Sequence, residues 1–205
     1  MDKRSAKADC WFFDSPKNRQ RFAIQGQLAY IQAVLLEGDT SVTGYEVEDE
    51  RIELPEDNVS LRPTMTVYFR NGSFAWQDFR YEEDDPLKRI FVLRRSHAEQ
   101  KGIPYSLVEE KALRAKLIKF DNWQMLSAII NRTKSIDFLH LQHEVFNLCH
   151  RFGRITCKGL LDAFPEEDPA LIYASVAIAL QAGALVSELD TELFNLDSEL
   201  RSGSS

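Results

Sequence analysis

Three residues of this chain bring a hydroxyl, a carboxylate and a guanidinium into one short stretch: Thr64 directly after Pro63, then Asp78, and Arg80 two positions further on. A carboxylate is the hard-oxygen ligand that Mg²⁺ requires, but one alone makes a poor cage, and the Thr64 hydroxyl brings no charge to help it. Arg80 offers a planar fork that grips a phosphate and has no accessible deprotonated form with which to activate water. The set favours contact with a phosphodiester over cleavage of one.

Those residues must be positioned by the stretch 61–80, LRPTMTVYFRNGSFAWQDFR. Met65, Val67 and Phe69 alternate with Thr64, Thr66 and Tyr68, Asn71-Gly72 supplies the positive φ of a tight turn, and Phe74 and Trp76 resume the alternation, which predicts a β-hairpin. Before it, Ile24, Leu28, Ile31, Leu35 and Leu36 recur at helical steps, predicting a helix from Ile24 to Glu37 that Gly38 ends. Val42 to Leu54 reads as acidic and strand-rich, and Pro55 to Arg62 as a loop. The first 20 residues, with one aromatic cluster at Trp11-Phe12-Phe13, read as an N-terminal arm whose aromatics pack on the chain's own domain.

After the acidic turn 82–86, helical spacing runs from Leu87 to Lys101 with Gly102 as its stop, Ile103 to Val108 reads as a short buried strand, and helices follow at Glu109 to Ala115 and across Asp121 to Asn131. This order predicts a mixed sheet with helices on its faces. A separate unit follows. Phe138, Leu141, Val145 and Leu148 form one helix stripe ending at Gly153, Thr156 caps a short helix to Phe164, and Asp168-Pro169 opens a helix to Gly183. Ala184 to Glu188 and Glu192 to Leu196 are expected to pair across Leu189-Asp190-Thr191, giving three helices and a two-stranded wing. Residues 198–205 are expected to be a flexible tail.

The chain has 205 residues, 44% hydrophobic and 28% charged, the composition of a folded protein. No apolar run approaches the roughly 20 residues of a membrane span, and Met1-Asp2-Lys3-Arg4 leads into no signal-peptide core, so a cytoplasmic location without membrane association is expected. Cys10, Cys149 and Cys157, odd in number and far apart, fit a reducing compartment. The net charge of −7 is strongly segregated: residues 88–160 carry fourteen Lys and Arg against six Asp and Glu, whereas residues 39–87 and 161–205 are acidic. A basic block can neutralise DNA phosphates or face the chain's own acids. Arg94, Arg95, Lys111, Arg114, Lys116 and Lys119 are its candidates for backbone contact, with solubility and pairing to Glu109 or Glu110 as the alternative.

The segments LLEGDTSV, PT…VYFRNG…QDFR, GIPYSLVEEKALR and DNWQMLSAI, in this order, resemble the TnsA-type endonuclease subunit of heteromeric transposases. The resemblance runs from about residue 20 onward. It implies a restriction-endonuclease-like α/β domain at 21–134, with a mixed sheet, followed by an α+β winged-helix domain at 135–197. It implies DNA and other transposase or mobile-element proteins as partners. Active members use an acid on the first helix, an Asp after Pro, and an acid-x-Lys triplet. This chain has Gln25, Gln27, Ala29 or Gln32 at the first, Thr64 at the second, and Asp78 with Arg80 at the third, so of the ligands only Asp78 is kept.

The expected function is therefore that of a noncatalytic subunit binding DNA, complex partners, or both, with no cofactor. Mg²⁺ enters only in a second reading, an active nuclease that pairs Asp78 with an acid from elsewhere, such as Glu37, Glu82 or Glu83. A third reading is a protein-interaction regulator. The approach to the third helix of the wing unit, Glu166-Glu167-Asp168, repels phosphate where a DNA reader carries basic or amide groups, and so points to protein docking. His140, His143, Cys149, His150 and Cys157 lack paired zinc spacing and read as surface histidines beside a buried thiol.

Overall fold

The computed structural model describes residues 9–47, 63–82 and 88–203, and these form a mixed α/β protein of two compact units: residues 1–36 with 41–115, and residues 37–40 with 116–205. The division falls ahead of the Asp121 helix, earlier than the expected boundary between residues 134 and 135.

The first unit opens with β1 (Cys10–Ser15) and β2 (Gln20–Gln25), paired antiparallel from Cys10↔Gln25 to Ser15↔Gln20. The described part of the expected arm is therefore a hairpin. Its alternation is what builds it: Phe13, Ser15, Phe22 and Ile24 point inward while Phe12, Asp14, Arg21 and Ala23 face out. Trp11 stacks on Tyr30 at 4.8 Å and Phe13 meets the same ring edge-on at 6.0 Å, so these two aromatics pack within their own unit as expected, whereas Phe12 is exposed. Ile24 belongs to this hairpin and not to the helix predicted from it. Gly26, at φ 86°, turns the chain into α1 (Gln27–Glu37), in which only Gln27 and Gln32 escape burial.

The unit's main sheet has the order β3-β4-β5-β6, built from β3 (Val42–Val47), β4 (Met65–Phe69), β5 (Phe74–Arg80) and β6 (Tyr105–Glu109). The first three strands are antiparallel neighbours and β6 runs parallel to β5, with the crossover made by α2 (Arg89–Lys101). Gly102, at φ 67°, ends that helix as predicted. The segment 48–54 of the expected acidic strand region, the loop 55–62 and the acidic turn 83–86 lie outside the described residues. β6 is an edge strand with no fully buried residue, against the expectation of a buried one. The β4–β5 hairpin forms as predicted, but Asn71-Gly72 does not make a two-residue turn. Gly72 alone takes positive φ, at 81°, while the Asn71 side chain accepts from the Ser73 N–H and hydroxyl within a four-residue loop.

One face of this sheet carries Tyr45, Met65 and Val67, all buried, together with Gln77, which meets Gln32 of α1 at 3.1 Å. The opposite face carries Thr66 and Tyr68 on β4, and Phe74, Trp76, Asp78 and Arg80 on β5, as the strand period requires. α2 covers the Asp78 end of that face. The short helix α3 (Glu110–Arg114) follows β6 directly.

The second unit contains α4 (Leu117–Thr133), α5 (Leu139–Phe152), β7 (Arg154–Thr156), α6 (Cys157–Ala163), α7 (Pro169–Ala182), β8 (Leu185–Val186) and β9 (Glu199–Ser202). α5 buries Leu141, Val145 and Cys149 and exposes His140, His143 and His150. The Thr156 hydroxyl accepts from Gly159 N–H and the Asp168 carboxylate from Ala170 N–H, the two caps read from sequence, each stabilising its helix by about 1 kcal/mol. The three strands pair antiparallel in the order β7-β9-β8. The expected 192–196 strand is loop, and its place is taken by β9, central in the sheet and drawn from the expected tail. Leu200, fully buried there, supplies the reason. Among the described residues, no helix is long and apolar enough to cross a membrane.

Candidate functional site

Asp78 sits in the middle of β5 with no solvent exposure. Its Oδ1 accepts from the Thr64 backbone N–H at 2.9 Å, from the Thr64 hydroxyl at 2.7 Å and from Arg94 Nη1 at 2.7 Å, and its Oδ2 accepts from the Tyr105 hydroxyl at 2.8 Å. Four donors from three backbone segments thus converge on one carboxylate. Strand pairing explains two of them: Thr64 precedes β4, the neighbour of β5, and Tyr105 opens β6 opposite Trp76, one step along from Asp78. α2 supplies the third partner, placing Arg94 over the sheet with its side chain 9% exposed.

The electrostatics follow from that burial. An uncompensated carboxylate in such a place would be neutralised or would unfold the chain, and Arg94 supplies the countercharge. Burial and the Asp78 carboxylate together push the Tyr105 phenol far above its ordinary value, so it remains a hydrogen-bond donor at any physiological pH.

The same geometry tests whether the residues fit a divalent ion. Mg²⁺ needs carboxylate lone pairs and near-octahedral space, whereas Oδ1 of Asp78 already receives three donors, one of them the Arg94 guanidinium. Among the described residues, no three His, Cys, Asp or Glu side chains gather as a metal-binding group. The residues present do not fit Mg²⁺. Gln27, the amide considered for the first-helix acid, is exposed at the start of α1, and Gln32 is bonded to Gln77. Of the acids considered as substitutes, Glu37 is buried in the second unit, accepting from Gln181 Nε2 at 2.9 Å, Glu82 is exposed, and Glu83 lies outside the described residues.

Arg80 is half-buried and pairs with Glu109, its register partner on β6. Glu110 accepts from the Glu82 backbone N–H and from Arg114, and these, in that order, hold its carboxyl below the usual range. The six basic candidates separate accordingly. Arg94 is a correction: it is buried against Asp78 and is not part of a basic surface, because the helical period of α2 turns it toward the sheet. Arg114 pairs with Glu110 and Lys119 with Asp190 at 2.9 Å. Arg95, Lys111 and Lys116 are exposed, with no carboxylate within ion-pair distance among the described residues.

Near Asp78 the structure also assembles residues that sequence reasoning did not single out. The Trp76 ring stacks on His97 at 5.9 Å with Lys101 Nζ 5.9 Å from its centre, and the Arg95 guanidinium lies 5.9 Å from the Tyr105 ring. Trp76 and Tyr105 are register partners on adjacent strands. The alternation of β5 was the available signal: Phe74 and Trp76 share the face of Asp78.

In the second unit, Asn122 of α4, 2% exposed, donates to the Leu189 and Glu192 carbonyls and accepts from the Phe194 N–H, tying the loop between β8 and β9 to the helix. Glu166, Glu167 and Asp168 are exposed, with Asp168 engaged as the cap of α7. Cys149 is buried and the histidines are exposed, as expected, and Cys157 is buried as well. No family model and no curated protein matches this chain.

Proposed function

We propose that this protein is a noncleaving, DNA-associated relative of the TnsA-type transposase subunit, serving as a scaffold in a transposase or other mobile-element complex. The observation that carries the reading is the Arg94 guanidinium on the Asp78 carboxylate at 2.7 Å, with both carboxylate oxygens bonded and Thr64 where active relatives have an acid. The one acid kept from the nuclease pattern serves as an anchor between β4, β5, β6 and α2.

The architecture supports the kinship. A helix, three antiparallel strands, a crossover helix and a fourth strand parallel to the third is the arrangement expected of a restriction-endonuclease-like domain. In the second unit, the succession α5, β7, α6, α7, β8, β9 with the strand order β7-β9-β8 supports a winged-helix reading. Its wing is the loop that Asn122 ties down, and its third helix begins with exposed acids, so this unit docks protein and leaves DNA to Arg95, Lys111 and Lys116.

Incubation with supercoiled plasmid in Mg²⁺ or Mn²⁺, run beside a gel shift at low salt, tests the reading. Retardation without nicking is expected. Nicking lost in Asp78→Ala would establish the active-nuclease alternative, and absence of any nucleic-acid retention would leave a pure protein-interaction regulator.

A further inference from the structure

We infer that the open end of the β3-β4-β5-β6 sheet face is a stacking shelf for single-stranded DNA. The inference rests on the DNA-associated reading above and specifies the form of DNA and the residues that hold it. α2 closes this face over Asp78 but not over the hairpin end, where Tyr68 and Phe74 are 36% and 39% exposed. Their rings lie 6.2 Å apart as cross-strand partners. Phe74 and Trp76 follow at alternate positions of β5, a step of roughly 7 Å, and Tyr105 extends the row onto β6. Four aromatic side chains thus lie along one sheet face, and two of them, Tyr68 and Phe74, are exposed.

The exposed pair leaves over a third of its surface to solvent, on which a flat base can stack. The cations beside the row supply the other half of the pattern. Lys101 at the end of α2 and Arg95 on its outer side each lie over a ring of the row, both are exposed, and neither has a carboxylate within ion-pair distance among the described residues. Unneutralised cations flanking aromatic faces match a single strand, whose bases are free to stack while its phosphates run past the charges. Duplex DNA would use the cations and leave the rings idle, because its bases are stacked on one another. Glu46, exposed on β3 and paired in register with Thr66, is the acid at the far edge of the shelf and limits the path on that side.

Fluorescence anisotropy with a labelled oligothymidylate of about 16 nucleotides, compared with a duplex of equal length, tests this in the full chain at low salt. The single strand should bind more tightly than the duplex. Phe74→Ala and Tyr68→Ala, both at exposed positions, should each weaken it about tenfold with unchanged thermal unfolding and unchanged duplex binding. Lys101→Glu should weaken both forms, and Glu46→Lys should tighten the single strand. Equal affinity for strand and duplex, or single-strand affinity indifferent to both ring truncations, overturns the shelf while leaving DNA association standing. No retention of either form overturns both readings.

Discussion

Arg94 Nη1 and Asp78 Oδ1 are 2.7 Å apart in a buried ion pair that joins α2 to the central sheet of the first unit. Removing the cation leaves a carboxylate with no solvent and no countercharge. Arg94→Ala should therefore destabilise the first unit by about 3–5 kcal/mol, read by urea denaturation. The neutral pair Asp78→Asn with Arg94→Gln should lose less than Arg94→Ala alone. Equal losses would show that packing of the Arg94 stem, and not charge, holds α2 in place.

Tyr105 donates the only hydrogen bond recorded to Oδ2 of Asp78 among the described residues. Tyr105→Phe keeps the ring beneath Arg95 and removes that donor, so the cost should be that of a hydrogen bond to a charged group, about 1.5–3 kcal/mol. A loss below about 0.5 kcal/mol would mean that water replaces the phenol.

Asn122 satisfies three backbone groups of the loop between β8 and β9. In Asn122→Ala those groups lose their partner, at about 1–3 kcal/mol for a buried group left unsatisfied. Hydrogen exchange at Phe194 N–H should rise well ahead of exchange in α7. Unaltered protection there would show that Leu189 and Phe194, both buried, hold the loop without the amide.

Burial pushes the Cys149 thiol up to about 11 and the Cys157 thiol up to about 12. Both folded values lie above the unfolded value of about 8.5, so this part of the stability is complete below that pH and is lost as pH rises toward 11 and 12. Thermal unfolding of the second unit should drop across that alkaline window, less so in Cys149→Ala with Cys157→Ala. In native protein a thiol reagent should modify exposed Cys10 first, the other two reacting on unfolding. Rapid modification of all three would contradict their burial.

Local signals in the sequence determined much of this protein. Asp168-Pro169 and Thr156 cap their helices, Gly102 and Gly183 end theirs, and the alternation through residues 65–76 makes a hairpin, because caps, positive φ and strand period act within a few residues. Tertiary structure decided the partners. Helical spacing puts Arg94 on the stripe of Phe91 and Ala98, yet only the folded α2 shows that it meets Asp78 while Arg95 stays over Tyr105. β9 was hidden because four residues in a polar tail have weak propensity of their own, and only the company of β7 and β8 makes them a strand. The same holds for Asp78: the sequence shows a lone carboxylate on a strand, and the four donors that fold around it make it an anchor.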